Sequence, residues 1–258
     1  MTVFQSEATM KYSFYTLGCK VNQYESQALG ELLSKFGYEP APAGESADVY
    51  IINSCTVTTE SDRKTRQAVR RFKRNNPNAV VVLTGCMPQA YPEDAQSLAE
   101  ADIVIGNKNN GELPELLEAY LRDRQRCVVT AQHMKDESFD VCPITSFNER
   151  TTAYVKIQDG CNNFCSYCLI PYVRGRSRSR ALDKVVEEVR SVPENIKEIV
   201  LTGIDISSYG KDIGLSLKDL ILALSDVDKR IRLGSFEMNI IDDELLNALK
   251  GLRHFCPH

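Results

Sequence analysis

Short runs rich in Val, Ile, Leu and Tyr recur at 12–17, 48–53, 79–84 and 102–105, each followed by apolar residues at helical spacing. A strand that is followed by a helix re-enters its sheet in the same direction, so this alternation specifies a parallel α/β sheet. The best-defined helix opens at Asn22 with Glu25 three residues on. It carries Ala28, Leu29, Leu32, Leu33 and Phe36 on one face and stops near Gly37. Another helix is expected around 112–121. The stretch 122–150 is polar and patternless, apart from a short strand candidate at 127–130, and is expected to be a linker. A second series then begins, with strands at 153–158, 198–201 and 231–236 and helices at 182–191, 217–224 and 242–252. The expected organisation is an N-terminal α/β domain over 1–126, a linker over 127–150 and a second βα domain over 151–258.

With 258 residues, 43% of them hydrophobic, the chain is long enough to bury more than one core. No apolar stretch approaches the roughly 20 residues needed to span a bilayer, and the first ten residues lack the build of a secretory signal. A cytoplasmic protein without membrane association is expected. In a reducing compartment, nine cysteines point to metal binding or catalysis before disulfides. A net charge of −4 excludes a protein that is basic all over, leaving local basic stripes as the only route to nucleic-acid contact.

Cys161, Cys165 and Cys168, in CNNFCSYC, directly follow the first strand of the second series. Loops at the carboxyl ends of parallel strands build active sites. Three close thiolates can hold a [4Fe–4S] cluster with one iron left open, because such a cluster normally takes four cysteines. A structural zinc site is the alternative, although C-x3-C-x2-C lacks the paired C-x2-C arrangement and a nearby histidine. Cys19, Cys55 and Cys86 repeat the placement, each just past a strand in YSFYTLGC, DVYIINSC and AVVVLTGC. They form a second candidate cluster site, against the alternatives of inert core thiols or zinc. Cys127, Cys142 and Cys256 have no partner at cluster spacing and are expected to be structural.

At CNNFCSYC the chain resembles the radical S-adenosylmethionine (SAM) superfamily. That resemblance implies a partial (β/α) barrel and SAM chelated at the open iron, where reduction yields a 5′-deoxyadenosyl radical. TLGCKVNQYES at 16–26, INSCTVT at 52–58, LTGCMPQ at 83–89 and CNNFCSYCLIPYVRGRSRSR at 161–180 narrow the resemblance to the methylthiotransferases. Their pattern implies two [4Fe–4S] clusters, the second held by Cys19, Cys55 and Cys86, with SAM as both methyl donor and radical source. It further implies a tRNA substrate, an electron donor such as flavodoxin or ferredoxin, and a sulfur source. The GCK-x-NQ-x-ES form is most similar to the subgroup that methylthiolates adenine C2 of N6-threonylcarbamoyladenosine beside the anticodon. Action on isopentenyladenosine or on a protein side chain, and metal binding without catalysis, are the competing readings.

Arg63, Arg66, Arg70 and Arg74 fall at near-helical spacing, either as a phosphate-binding stripe or as a solvated helix face. Arg174, Arg176, Arg178 and Arg180 alternate, so an extended segment would point them the same way, toward an anionic substrate. By resemblance, Thr202 and Gly203 after the second barrel strand and Ser235 and Glu237 after the third are expected to contact SAM, with turn or capping roles as the alternative. Relatives carry further barrel strands and a C-terminal RNA-binding TRAM domain, so this chain, ending about where a fourth barrel strand would begin, is expected to be a fragment.

Overall fold

The computed structural model describes residues 9–134, 137, 139, 144 and 151–257. It divides into two compact units, Met1–Gly18 with Leu29–Ala131, and Cys19–Ala28 with Gln132–His258. The helix α1 (Lys20–Lys35) therefore begins in the second unit and ends in the first.

The first unit is built on the strands β1 (Lys11–Thr16), β2 (Glu39–Pro40), β3 (Val49–Ser54), β4 (Val80–Gly85), β5 (Ile103–Ile105) and β6 (Cys127–Val129). They form one sheet in the order β2-β1-β3-β4-β5-β6, with every pair parallel. The sheet reaches Val129, past the point at which the sequence places the start of a linker. Helices α2 (Thr59–Asn75), α3 (Cys86–Ala90), α4 (Pro92–Gln96) and α5 (Leu113–Asp123) connect the strands. Both faces of the sheet are covered. Ile52 and Leu83 pack with Val69 and Met87 on one side, while Ile51 and Val82 pack with Leu33 and Leu117 on the other. A strand buried on both faces gains from an apolar residue at every position, which is why VYII and VVVL run without alternation.

The second unit holds a parallel sheet in the order β12-β11-β10-β7, from β7 (Thr152–Lys156), β10 (Glu198–Thr202), β11 (Arg230–Leu233) and β12 (Phe255–Cys256). A short antiparallel pair, β8 (Gln158–Asp159) and β9 (Arg178–Ser179), brackets the cysteine loop. Helices α6 (Ile170–Val173), α7 (Leu182–Ser191), α8 (Leu217–Ala223) and α9 (Asp243–Gly251) complete the unit. The core joins Val155, Leu201 and Ile231 of the strands to Val185, Leu220 and Leu249 of the helices, and takes in Tyr24 and Ala28 from α1. Ser216 and Asp219 form a capping box at the start of α8, and Asp242 caps α9. The whole is an α/β protein, as the alternating pattern predicts. Among the described residues, no helix is long and apolar enough to cross a membrane.

Asp102, just before β5, locks one end of the first sheet. Its carboxylate accepts from Lys73 Nζ at 2.8 Å, Val81 N at 2.8 Å and the Tyr120 hydroxyl at 2.7 Å. Burial, together with the neighbouring Asp102 charge, pushes the Tyr120 phenol up to about 12. Asp102→Ala strips three donors of their acceptor and should cost about 2–3 kcal/mol in urea denaturation. The Tyr120 titration followed by absorbance should move down toward the ordinary phenol value.

Candidate metal centre

The cysteine loop of the second unit is held by its backbone. Gly160, immediately before Cys161, has φ +71°, and a Cβ there would lie 2.0 Å from the Arg176 carbonyl oxygen, so only glycine fits. Cys161 N donates to Gly175 O at 3.1 Å, and Cys168 N donates to Cys165 O at 2.9 Å. Between them Phe164 takes the left-handed conformation, φ +46°, uncommon for a bulky residue and a sign of a constrained loop. Burial pushes the Cys161 thiol up, and although the Asn163 N–H works the other way, Asp205 and the Cys168 and Cys165 sulfurs add to the rise. Crowded thiolates of this kind are relieved by a cationic, thiophilic group, and a three-sulfur donor set suits iron–sulfur ligation. Among the described residues, no three His, Cys, Asp or Glu side chains converge on a point that would hold a single metal ion.

A residue that the sequence patterns do not reveal ties the strand ends together. The fully buried Gln158 donates through Nε2 to Asp159 O at 2.9 Å, Gly160 O at 2.7 Å and Ser177 Oγ at 3.0 Å. Its Oε1 accepts from Ile204 N at 3.0 Å and Asp205 N at 2.7 Å, in the loop after β10. Of the four residues expected to contact SAM, Gly203 packs against Gln158, where a Cβ would sit 2.9 Å from two of its oxygens. Glu237 joins the cysteine loop, accepting from Asn163 Nδ2 at 3.1 Å, while its own N–H donates to Ser207 Oγ at 2.7 Å. Thr202 is buried at the end of β10, and Ser235 is exposed after β11.

The arginine series corrects the sequence expectation. Arg174, Arg176, Arg178 and Arg180 do not share one face, because Arg174 caps α6, Gly175 turns the chain with φ +73° and only Arg178–Ser179 is extended. Arg174 and Arg178 are buried, and both pair with Asp159. Arg178 also donates to the Arg174 and Arg176 carbonyls at 2.9 and 3.0 Å, and Arg180 pairs with Glu188 at 2.6 Å. Arg176 alone of the four is exposed, its guanidinium stacked 4.4 Å from the Phe164 ring centroid. On α2 the basic residues meet acids of the same unit. Arg63 pairs with Glu60, Arg66 with Asp94, and Arg70 with Glu100. That is the solvated-face alternative for these three.

In the first unit, β3 and β4 run out side by side, with Ser54 opposite Gly85, so Cys55 and Cys86 leave neighbouring strands at the same level. Both are buried. Gly85 has φ +95°, and a Cβ there would lie 2.4 Å from the Ser54 carbonyl. Ser54 Oγ donates to Thr84 O at 2.6 Å and accepts from Met87 N at 3.0 Å, fixing the turn into α3. Thr56 Oγ1 and Gln89 Oε1, each within three residues of one of these cysteines, are buried polar atoms with no hydrogen-bond partner among the described residues. Cys19, exposed, belongs to the stretch that groups with the second unit. Cys127 is half-buried in β6, its thiol raised chiefly by burial; Cys256 lies in β12, and Cys142 falls outside the described residues.

Residues 155–256 match the radical SAM superfamily, and residues 11–106 match the family described as Uncharacterized protein family UPF0004. The second unit is thus a portion of a radical SAM domain, a class that takes a [4Fe–4S] cluster and SAM. The chain is similar to the threonylcarbamoyladenosine tRNA methylthiotransferase MtaB of Aquifex aeolicus, 39% identical over 96% of this chain and 62% of the relative. It is also similar to the protein of the same name from Bacillus subtilis, 40% identical over 92% of this chain and 54% of the relative. A tRNA-2-methylthio-N(6)-dimethylallyladenosine synthase of Caldicellulosiruptor saccharolyticus is 33% identical over 99% of this chain and 56% of the relative. The chain belongs to the radical SAM methylthiotransferase family and spans a little over half the length of these curated relatives.

Gln158→Ala would leave buried donors and acceptors unsatisfied on two loops, costing about 1–3 kcal/mol. Hydrogen exchange should quicken at residues 159–168 and 203–206, and less iron should be retained after anaerobic reconstitution. Unchanged exchange in both loops would rule out the stapling role.

Proposed function

We propose that this chain is the cluster-bearing part of an enzyme that methylthiolates adenine C2 of N6-threonylcarbamoyladenosine next to the tRNA anticodon. The observation that carries this reading is the three-cysteine loop at the carboxyl end of β7, in a chain about 40% identical to relatives named for that modification. Cys161, Cys165 and Cys168 would hold the first [4Fe–4S] cluster, with Gly203 and Glu237 near the cofactor and Thr202 and Ser235 at the adjoining strand ends. Cys19, Cys55 and Cys86 would hold the second. The unpartnered hydroxyl of Thr56, the residue after Cys55, supports a bound group there. When bound, the clusters and SAM supply the reductive cleavage and sulfur chemistry, with an external electron donor and a sulfur source.

The work of the protein is positional. Gln158 and Gly160 hold the Cys161 loop against the end of β10, and the buried strand ends exclude water from its base. Arg176 is the cation of its segment left free for a phosphate. Arg174 and Arg178 act in this reading as framework for the loop rather than as substrate contacts. Action on dimethylallyl- or isopentenyladenosine is the second reading, favoured by the relative named for that product.

Anaerobic reconstitution should give about eight iron per chain, four for each cluster. A stable count of four with all cysteines intact would remove the second cluster. Cys161→Ala should abolish 5′-deoxyadenosine formation from SAM and dithionite, whereas Cys55→Ala should retain it while losing methylthio transfer. Mass analysis of nucleosides from tRNA carrying either modification decides the substrate. A methylthio gain confined to isopentenyladenosine, or to a protein, would overturn the first reading.

A further inference from the structure

The NQYES stretch at 22–26 sits on the first turns of α1 and is largely buried. Asn22 and Tyr24 are fully buried, and the Glu25 side chain is 12% exposed. Glu25 clasps Arg174 with both oxygens, Nη1 donating to Oε1 at 2.7 Å and Nη2 to Oε2 at 3.0 Å. Its Oε1 also accepts from Lys156 Nζ at 2.8 Å. Lys156 and Arg174 in turn share Asp159, at 2.7 and 3.4 Å. Asn22 Oδ1 accepts twice, from Arg174 Nη2 at 2.9 Å and from the Cys19 thiol at 3.6 Å. On the adjoining face, the Tyr24 hydroxyl donates to Glu188 at 3.2 Å, the partner of Arg180.

Every cation engaged by this stretch flanks the cysteine loop. Lys156 ends β7, five residues before Cys161, and Arg174 and Arg180 follow Cys168. Arg178 also reaches Asp159 at 3.7 Å and Glu137 at 3.8 Å, so Glu25, Asp159 and Glu137 meet Lys156, Arg174 and Arg178, and the buried charges balance only when α1 brings in Glu25. Burial alone would raise the Glu25 carboxyl, yet Arg174 and Lys156 hold it below the ordinary range, so it remains ionised.

We propose that Asn22 and Glu25 are positioning residues that, through Arg174, seat the turn bearing Cys19 on the loop bearing Cys161, Cys165 and Cys168. This rests on the reading of both cysteine sets as cluster ligands. A carboxylate with a bidentate hold on a buried guanidinium gives direction as well as energy, which glutamine cannot reproduce. The seat makes the place of Cys19 relative to the first cluster a property of one side-chain pair.

The test uses the full chain, first without iron. In Glu25→Gln, hydrogen exchange should rise about tenfold or more in two segments far apart in sequence, 19–28 and 159–176, with β10 and β11 unchanged. Arg174→Met should reproduce the pattern. Glu25→Asp should restore part of the protection. Asn22→Ala, which leaves the charge balance intact, should show both segments loosened to a smaller degree. In loaded protein, normalised to retained iron, Glu25→Gln should lower methylthio product per 5′-deoxyadenosine about tenfold, a larger fall than in 5′-deoxyadenosine formation itself. Exchange that rises in 19–28 alone, or evenly across the unit in both Glu25→Gln and Asn22→Ala, overturns the proposal. So does an unchanged product ratio. A wild-type chain that makes no methylthio nucleoside counts instead against the proposed function, and leaves the exchange experiment to decide the seat.

Discussion

Parallel pairing makes every strand of a sheet end at the same edge, and the chemistry of this chain hangs on that constraint. Ser54 stands opposite Gly85, so the residues that follow them, both cysteines, emerge together although they are 31 positions apart. Thr202 stands opposite Lys156, so the loop after β10 reaches the base of the Cys161 loop. Glycine completes the placement. Gly18, Gly85 and Gly160 each precede a cysteine and each has positive φ, turning the chain away from its line where a side chain on the backbone would collide or strain. The pairing sets the level of Cys55 and Cys86, and the glycines turn the chain into Cys19, Cys86 and Cys161.

Charge organises the second unit where apolar packing cannot. The floor beneath the cysteine loop contains Lys156, Asp159, Arg174 and Arg178, all largely buried and each with an opposite charge in reach. Burying ions is costly, and such a set contributes specificity of arrangement more than net stability. Removing one member leaves its partner charged and unsolvated, so the set holds as a whole or loosens as a whole. An apolar floor would pack as well but would not choose one orientation for the loop.

The parallel α/β architecture was legible in the chain, because uninterrupted VYII and VVVL runs have few other uses and helical spacing follows each of them. The cysteine placements at strand ends were equally visible. What spacing could not convey was burial. The alternation of Arg174, Arg176, Arg178 and Arg180 looks like one face of a strand, but a helix end and a left-handed glycine break it into separate directions, and the acids that draw three of them inward lie elsewhere in the chain. Gln158 was invisible for a related reason. Its partners are main-chain atoms of two loops, which leave no mark in side-chain patterns. In the sequence β6 shows only as a strand candidate within a linker, since three residues carry too little periodicity to show that they complete a sheet.

The fate of the arginines bears on how this surface would meet a polyanion. A cation displaces condensed counterions from a nucleic acid only if its charge reaches the phosphates, and each that does adds close to one unit to the salt dependence of binding. Four arginines in seven residues spell a steep dependence. With three of them neutralised inside the fold, the segment can contribute a slope of about one through Arg176. Its attraction for any polyanion should therefore be weak, local and tolerant of ionic strength.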